Sequence, residues 1–152
     1  MSQGRQRNAF TLIEVLIVVI IMAVLAATII PQFSSSTKDA KESSLNFNAH
    51  TMQSQVEVYK MHHVGKLPGG TSGDFSDQMT KATNIGGTVN PGAADPVAYP
   101  YGPYMQEIPA NPYNNLKTVV EQATADGDDS TGWQFDTTTG RISPNNADWT
   151  AP

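Results

Sequence analysis

From Leu12 to Ile30 every position is apolar except Glu14 and Thr28. Read as a helix rising about 1.5 Å per residue, residues 10–31 are long enough to cross a hydrocarbon core of about 30 Å. Beyond Pro31 the pattern changes. Leu45, Ala49, Met52, Val56 and Tyr59 recur at four-three-four-three spacing, with Lys38, Asp39, Lys41, Glu42, Gln53, Gln55, Glu57 and Lys60 between and before them. That periodicity predicts an amphipathic helix whose apolar stripe packs on a small sheet. Gly65 and then Pro68 stop it, so one rod is expected from about Phe10 to Val64. Pro31 lacks an N–H and crowds the preceding turn, which predicts a kink or a local melt within the rod. Phe33 and Phe47 fall off the stripe, as exposed aromatics or as contacts to another subunit.

The chain then turns loop-rich. Eight of the twelve glycines and five of the ten prolines lie between Gly65 and Pro103. Asp74 and Asp77, with Phe75, Met79 and Ala82, predict one short capped helix over 75–83, pinned to the core by Phe75 and Met79. Lys117-Thr118-Val119-Val120 reads as a strand. Gly132 to Asp136, a Thr-Thr-Thr-Gly turn, and Arg141 to Ser143 read as a hairpin, with Trp133, Phe135 and Ile142 facing inward and Pro144 as the stop. The expected fold is α+β, a long helix on a three- or four-stranded antiparallel sheet.

Charge and composition narrow the function classes. The net charge is −5, and seven of the nine basic residues are scattered from Lys38 to Arg141, so no basic stripe argues for nucleic acid. Without cysteines there is no disulfide framework and no thiolate chemistry. The glycine-rich stretch 69–73 lacks a following Lys-Ser/Thr and a preceding strand, which excludes a phosphate loop. His62 and His63, adjacent on a helix, point about 100° apart, so a solvated helix end is expected rather than a metal pair. No nucleophile–base pattern emerges, and no enzyme is expected.

Arg5 and Arg7 are the only charges before the apolar run, and by the positive-inside rule they hold the N-terminus in the cytoplasm. Three readings of the run compete. One is a secretory signal cut near Ala26 or Ala27; Glu14 inside the apolar stretch and the length of the run count against it. Another is a plain membrane anchor, which leaves Glu14 without a role. The last is a cut between Ala9 and Phe10 that keeps the apolar helix on the mature chain. Thr11 and Glu14 also have capping-box spacing. Near the other end, Asp126-Gly127-Asp128-Asp129 sets three carboxylates around a glycine. Such oxygen donors suit calcium, although the spacing is not that of an EF-hand and a solvated acidic turn is the plainer alternative.

Arg5 to Ala9 followed by Phe10-Thr11-Leu12-Ile13-Glu14 resembles the class III leader of type IV prepilins and pseudopilins. Gly102-Pro103-Tyr104, Ile108-Pro109 and Asn111-Pro112-Tyr113 are similar to a Gly-Pro-Tyr…Leu-Pro…Asp-Pro-Trp segment of major pseudopilins of type II secretion. The resemblance implies residues 1–9 as a cytoplasmic leader, 10–31 as the transmembrane and filament-core helix, and 32–152 as a periplasmic pilin-like domain. It implies cleavage between Ala9 and Phe10 by a prepilin peptidase and methylation of the Phe10 amine. Ala9 departs from the family's usual Gly, which implies slower processing. It gives Glu14 the role of pairing with a neighbouring subunit's amine and so registering identical helices. It also implies calcium at Asp126, Asp128 and Asp129, in a loop shorter than the family's. The expected function is a pseudopilin of the bacterial inner membrane, N-terminus inside, assembling with itself, minor pseudopilins and the secretion platform. The alternatives are a type IV pilin of a surface fibre, for adhesion, motility or DNA uptake, and a membrane-tethered binding domain.

Overall fold

In a computed structural model, described over residues 10–70, 73–122 and 127–146 and by backbone alone over 30–35, five elements follow in order. They are helix α1 (Leu12–His62), helix α2 (Phe75–Thr80), and strands β1 (Val119–Glu121), β2 (Trp133–Phe135) and β3 (Ile142–Pro144). The chain divides after Ala40 into two compact units. The described part of the first is the opening of α1. The second carries the core, α2 and the sheet.

The backbone stays helical across Pro31, so the melt expected there does not occur. A proline removes a single rung of the ladder, and the turns on either side remain helical. The C-terminus of α1 closes with the Gly65 N–H donating to the Lys60 carbonyl at 2.8 Å. This is the six-to-one bond of a Schellman cap. The left-handed turn begins one residue before the glycine, because Val64 has φ 56° and Gly65 φ 83°.

The predicted stripe is the helix's buried face. Leu45, Met52, Val56 and Tyr59 pack with Phe75, Met79, Ile108, Trp133, Phe135 and Ile142, and Ala49 lies against them. Each large side chain removed from water contributes roughly 2 kcal/mol. Phe75 and Phe135 meet at a ring-centroid distance of 4.6 Å, which joins α2 to the sheet. Phe47 is exposed; the Phe33 side chain lies outside the described ones. Helix α2 is shorter than expected. Asp74 caps it by accepting the Asp77 N–H at 3.1 Å, and Lys81 is already extended.

The sheet needs one correction. It has three strands in the order β1-β2-β3, but it is mixed: β2 pairs antiparallel with β3, and β1 pairs parallel with β2. The hairpin turn at 137–140 permits only reversal. The longer connection 122–132 carries the chain back to start β2 beside the start of β1. β1 spans 119–121, two residues later than the sequence pattern begins, and Pro144 ends inside β3. At Gly132, entering β2, an added Cβ would sit 2.1 Å from the Leu116 carbonyl oxygen, so only glycine fits.

Glu121, at the end of β1, holds the glycine-rich loop. Its carboxylate accepts the Gly70 N–H at 2.6 Å and the Phe75 N–H at 2.8 Å. The buried Gln78 side chain accepts the Gly69 N–H at 2.6 Å and donates to the Gly87 carbonyl at 2.8 Å.

Candidate functional site

The start of α1 is built locally. Glu14 Oε2 accepts both the Thr11 N–H and the Thr11 hydroxyl at 2.8 Å, while Thr11 Oγ1 accepts the Glu14 N–H at 3.3 Å. This is a reciprocal capping box, so the plainer of the two readings of Glu14 is realised within one chain. It does not use up the carboxylate, which stays exposed, with Phe10 beside it also exposed. Ala9, the expected cleavage partner of Phe10, lies outside the described residues.

The following stretch, Leu12–Ile29, is long and apolar enough to cross a membrane, about 27 Å as a helix. None of it is buried among the described residues. Thr28 satisfies its hydroxyl on its own helix, donating to the Leu25 carbonyl at 3.0 Å. The stretch thus presents apolar side chains all round and a single charge near one end. A helix apolar on every face is stable only in lipid or in a bundle of other helices.

The acidic loop lies at the other end of the chain. Asp126 falls outside the described residues; Asp128 and Asp129 do not. Asp128 Oδ1 accepts the Ser130 hydroxyl at 2.7 Å, the Ser130 N–H at 3.0 Å and Asn145 Nδ2 at 2.9 Å. The Ser130 hydroxyl foremost, then the Ser130 amide and Asn145, hold its carboxyl below the ordinary value. Asn145 also accepts the Gly127 N–H at 2.9 Å, so one buried amide organises the loop. Asn114 Nδ2 donates to the carbonyls of Thr131 at 2.8 Å and Asp129 at 3.4 Å. The donors here are carboxylate and carbonyl oxygens, the chemistry a calcium ion takes. Asn146, next in sequence to Asn145, carries a buried Oδ1 with no hydrogen-bond partner. The residues fit the ion by donor type. Among the described residues, no group of three acidic or histidine side chains is close enough to hold a metal by itself.

The proline–tyrosine cluster braces the sheet. Trp133 Nε1 donates to the Pro109 carbonyl at 2.7 Å. Buried Asn111 donates to the Gly132 carbonyl at 2.8 Å and accepts the Tyr113 N–H at 2.9 Å.

His63 corrects the expected solvated helix end. His62 is exposed, but His63 is fully buried. It stacks on Tyr59 at a centroid distance of 3.9 Å. Its Nδ1 lies 3.2 Å from the Ile85 carbonyl and its Nε2 3.1 Å from both the Tyr104 and Thr83 hydroxyls. Burial foremost lowers its affinity for a proton. Burial, and then the nearby Tyr104, push the Tyr59 phenol up to about 12. The signal was present in the periodicity, since His63 is four residues past Tyr59 and continues the stripe.

Residues 4–30 match the family described as the prokaryotic N-terminal methylation motif. The type II secretion system core protein G of Pseudomonas aeruginosa is 28% identical over 113 residues, covering 74% of this chain and 72% of that protein. The chain is homologous to core protein G of type II secretion systems. The same protein of Aeromonas hydrophila is 25% identical over 115 residues, 74% of this chain and 72% of its own length. That of Vibrio cholerae is 24% identical over 115 residues, covering 76% and 71%. No solved structure matches this chain. The matched residues include Thr11 and Glu14 of the capping box and the apolar stretch, so the matched segment and the exposed helix largely coincide.

Proposed function

We propose that this chain is a pseudopilin, cut between Ala9 and Phe10 by a prepilin peptidase, methylated at the Phe10 amine, and polymerised through α1 into a periplasmic pseudopilus serving type II protein secretion. Before assembly it sits in the inner membrane as a single-pass protein, with Arg5 and Arg7 on the cytoplasmic side. Its role is structural rather than catalytic. The observation that carries the reading is the state of Leu12–Ile29: a helix of membrane length, apolar on all sides, with none of it buried among the described residues.

Glu14 supplies the register. A cut before Phe10 creates a cation four residues, about 6 Å of helix, from Glu14. A carboxylate in an apolar bundle is tolerated only when paired. An axial shift between two copies brings one chain's Glu14 to the next chain's Phe10 amine. The capping box leaves this open, because each carboxylate oxygen accepts more than one hydrogen bond. Minor pseudopilins and the inner-membrane platform are the further partners.

Calcium at the acidic loop belongs to the same proposal, with Asp126, Asp128 and Asp129 as the carboxylates. The ion would tie together a loop that otherwise hangs on Asn145. A thermal melt that calcium raises and chelator lowers supports it; a melt indifferent to both removes it.

The deciding experiment has two arms. Mass spectrometry of the mature N-terminus is expected to find methylated Phe10; a start near Thr28 refutes filament assembly. Deletion of the gene is expected to abolish secretion of exported proteins while surface fibres persist. Loss of fibres with secretion intact makes the chain a type IV pilin instead.

A further inference from the structure

The Tyr104 hydroxyl bridges two histidines, 3.2 Å from His62 Nδ1 and 3.1 Å from His63 Nε2. A phenol has one proton to give, so it donates to one ring and accepts from the other. The Ile85 carbonyl only accepts, so His63 Nδ1 carries a proton and donates to it, and neutral His63 Nε2 is an acceptor. The Thr83 hydroxyl faces that same nitrogen, and its alternative acceptor, the Tyr101 carbonyl, lies at 3.5 Å. His62 can therefore gain a proton without disturbing the bridge: it donates to Tyr104, and Tyr104 donates to His63. A proton on His63 as well turns both facing nitrogens into donors and leaves the phenol proton without an acceptor. Two cations then also face each other across one hydroxyl.

The same residues clasp a loop. Thr83 and Tyr101 exchange backbone hydrogen bonds at 2.7 and 3.2 Å, closing the segment between them, and His63 grips it through Thr83 and Ile85. Tyr104 anchors its far end, with its N–H donating to the Met79 carbonyl at 2.9 Å. Around His63 stand the stacked Tyr59, the edges of Tyr101 and Tyr104, and the cationic groups of His62 and Lys66. The end of a helix favours a cation, but burial and these two neighbours oppose it.

We propose that the His62–Tyr104–His63 bridge is a proton-counting latch: it tolerates one added proton and, at the second, releases the 83–104 segment from the end of α1. The release is local and leaves the sheet intact. It depends on the second unit alone and not on filament assembly.

The test is hydrogen exchange of the full chain in detergent micelles, corrected for intrinsic exchange, at about pH 7.5 and about pH 5. Protection of residues 84–101 is expected to fall about tenfold or more, as one extra proton taken up on opening requires, while β2 and β3 hold theirs. His63→Gln is expected to abolish the pH response. The same response in that variant, equal loss across the sheet, or no loss in the wild type overturns the latch. Should His63→Gln not fold, imidazole titration of the wild type decides. His63 is expected to take up its proton only below the range of an exposed histidine, and Tyr104→Phe to narrow that difference. A His63 that titrates as freely as an exposed histidine refutes the proposal.

Discussion

Gln53 on α1 reads the backbone of β3 as another strand would. Its Oε1 accepts the Ile142 N–H at 3.0 Å, and its Nε2 donates to the Gly140 carbonyl at 2.9 Å. β3 is an edge strand, and this one side chain ties its first N–H and the turn before it to the helix. Gln53→Ala leaves both groups without a partner and is expected to cost about 2–3 kcal/mol in urea unfolding. Gln53→Glu keeps the acceptor, loses the donor, and is expected to lie between the two.

Glu14 has a capping function in the single chain and a proposed pairing function between chains. Glu14→Gln separates them, because glutamine serves equally in a capping box but carries no charge. The variant is expected to insert and be cut like the wild type yet to assemble few filaments, and Glu14→Ala to behave likewise. Pull-down of sheared filaments measures this. Normal filament yield from Glu14→Gln would reduce Glu14 to a cap.

Val64 is a β-branched residue at φ 56°, on the surface. The left-handed region crowds its Cβ. Val64→Gly is expected to raise stability by about 1 kcal/mol in a urea titration, against the usual penalty for adding glycine. A loss would show that the apolar contacts of Val64 outweigh the strain.

Asp136 closes the β2–β3 turn. It accepts the Thr139 hydroxyl at 2.6 Å, and the Thr138 and Thr139 N–H groups at 2.7 and 3.2 Å. The Thr139 hydroxyl foremost, then the Thr138 amide, hold its carboxyl below the ordinary value. The unfolded chain therefore takes up this proton at higher pH than the folded one. Its stabilising contribution is complete above the unfolded value of about pH 4 and is lost as pH falls through the lowered folded value. Asp136→Asn is expected to melt lower at neutral pH and to show a shallower decline in stability between about pH 5 and pH 3.

Local rules reached far along this chain. The apolar run, the capping box at Thr11 and Glu14, the stripe from Leu45 to Tyr59, the Asp74 cap and the 132–143 hairpin all follow from neighbours a few residues apart. Such interactions are set by helix and strand periods, which a sequence displays directly. The prepilin-like start was legible for the same reason, since its residues are contiguous. Distant encounters were decided by the tertiary structure. β1 runs parallel to β2 because the 122–132 connection returns the chain to the same end of the sheet, and no local pattern encodes that. His63 became a buried hub because Thr83, Ile85 and Tyr104 arrive over it from about twenty and forty residues away. The polar group at the end of an apolar stripe looks solvated until the partners that satisfy it are brought there by the fold.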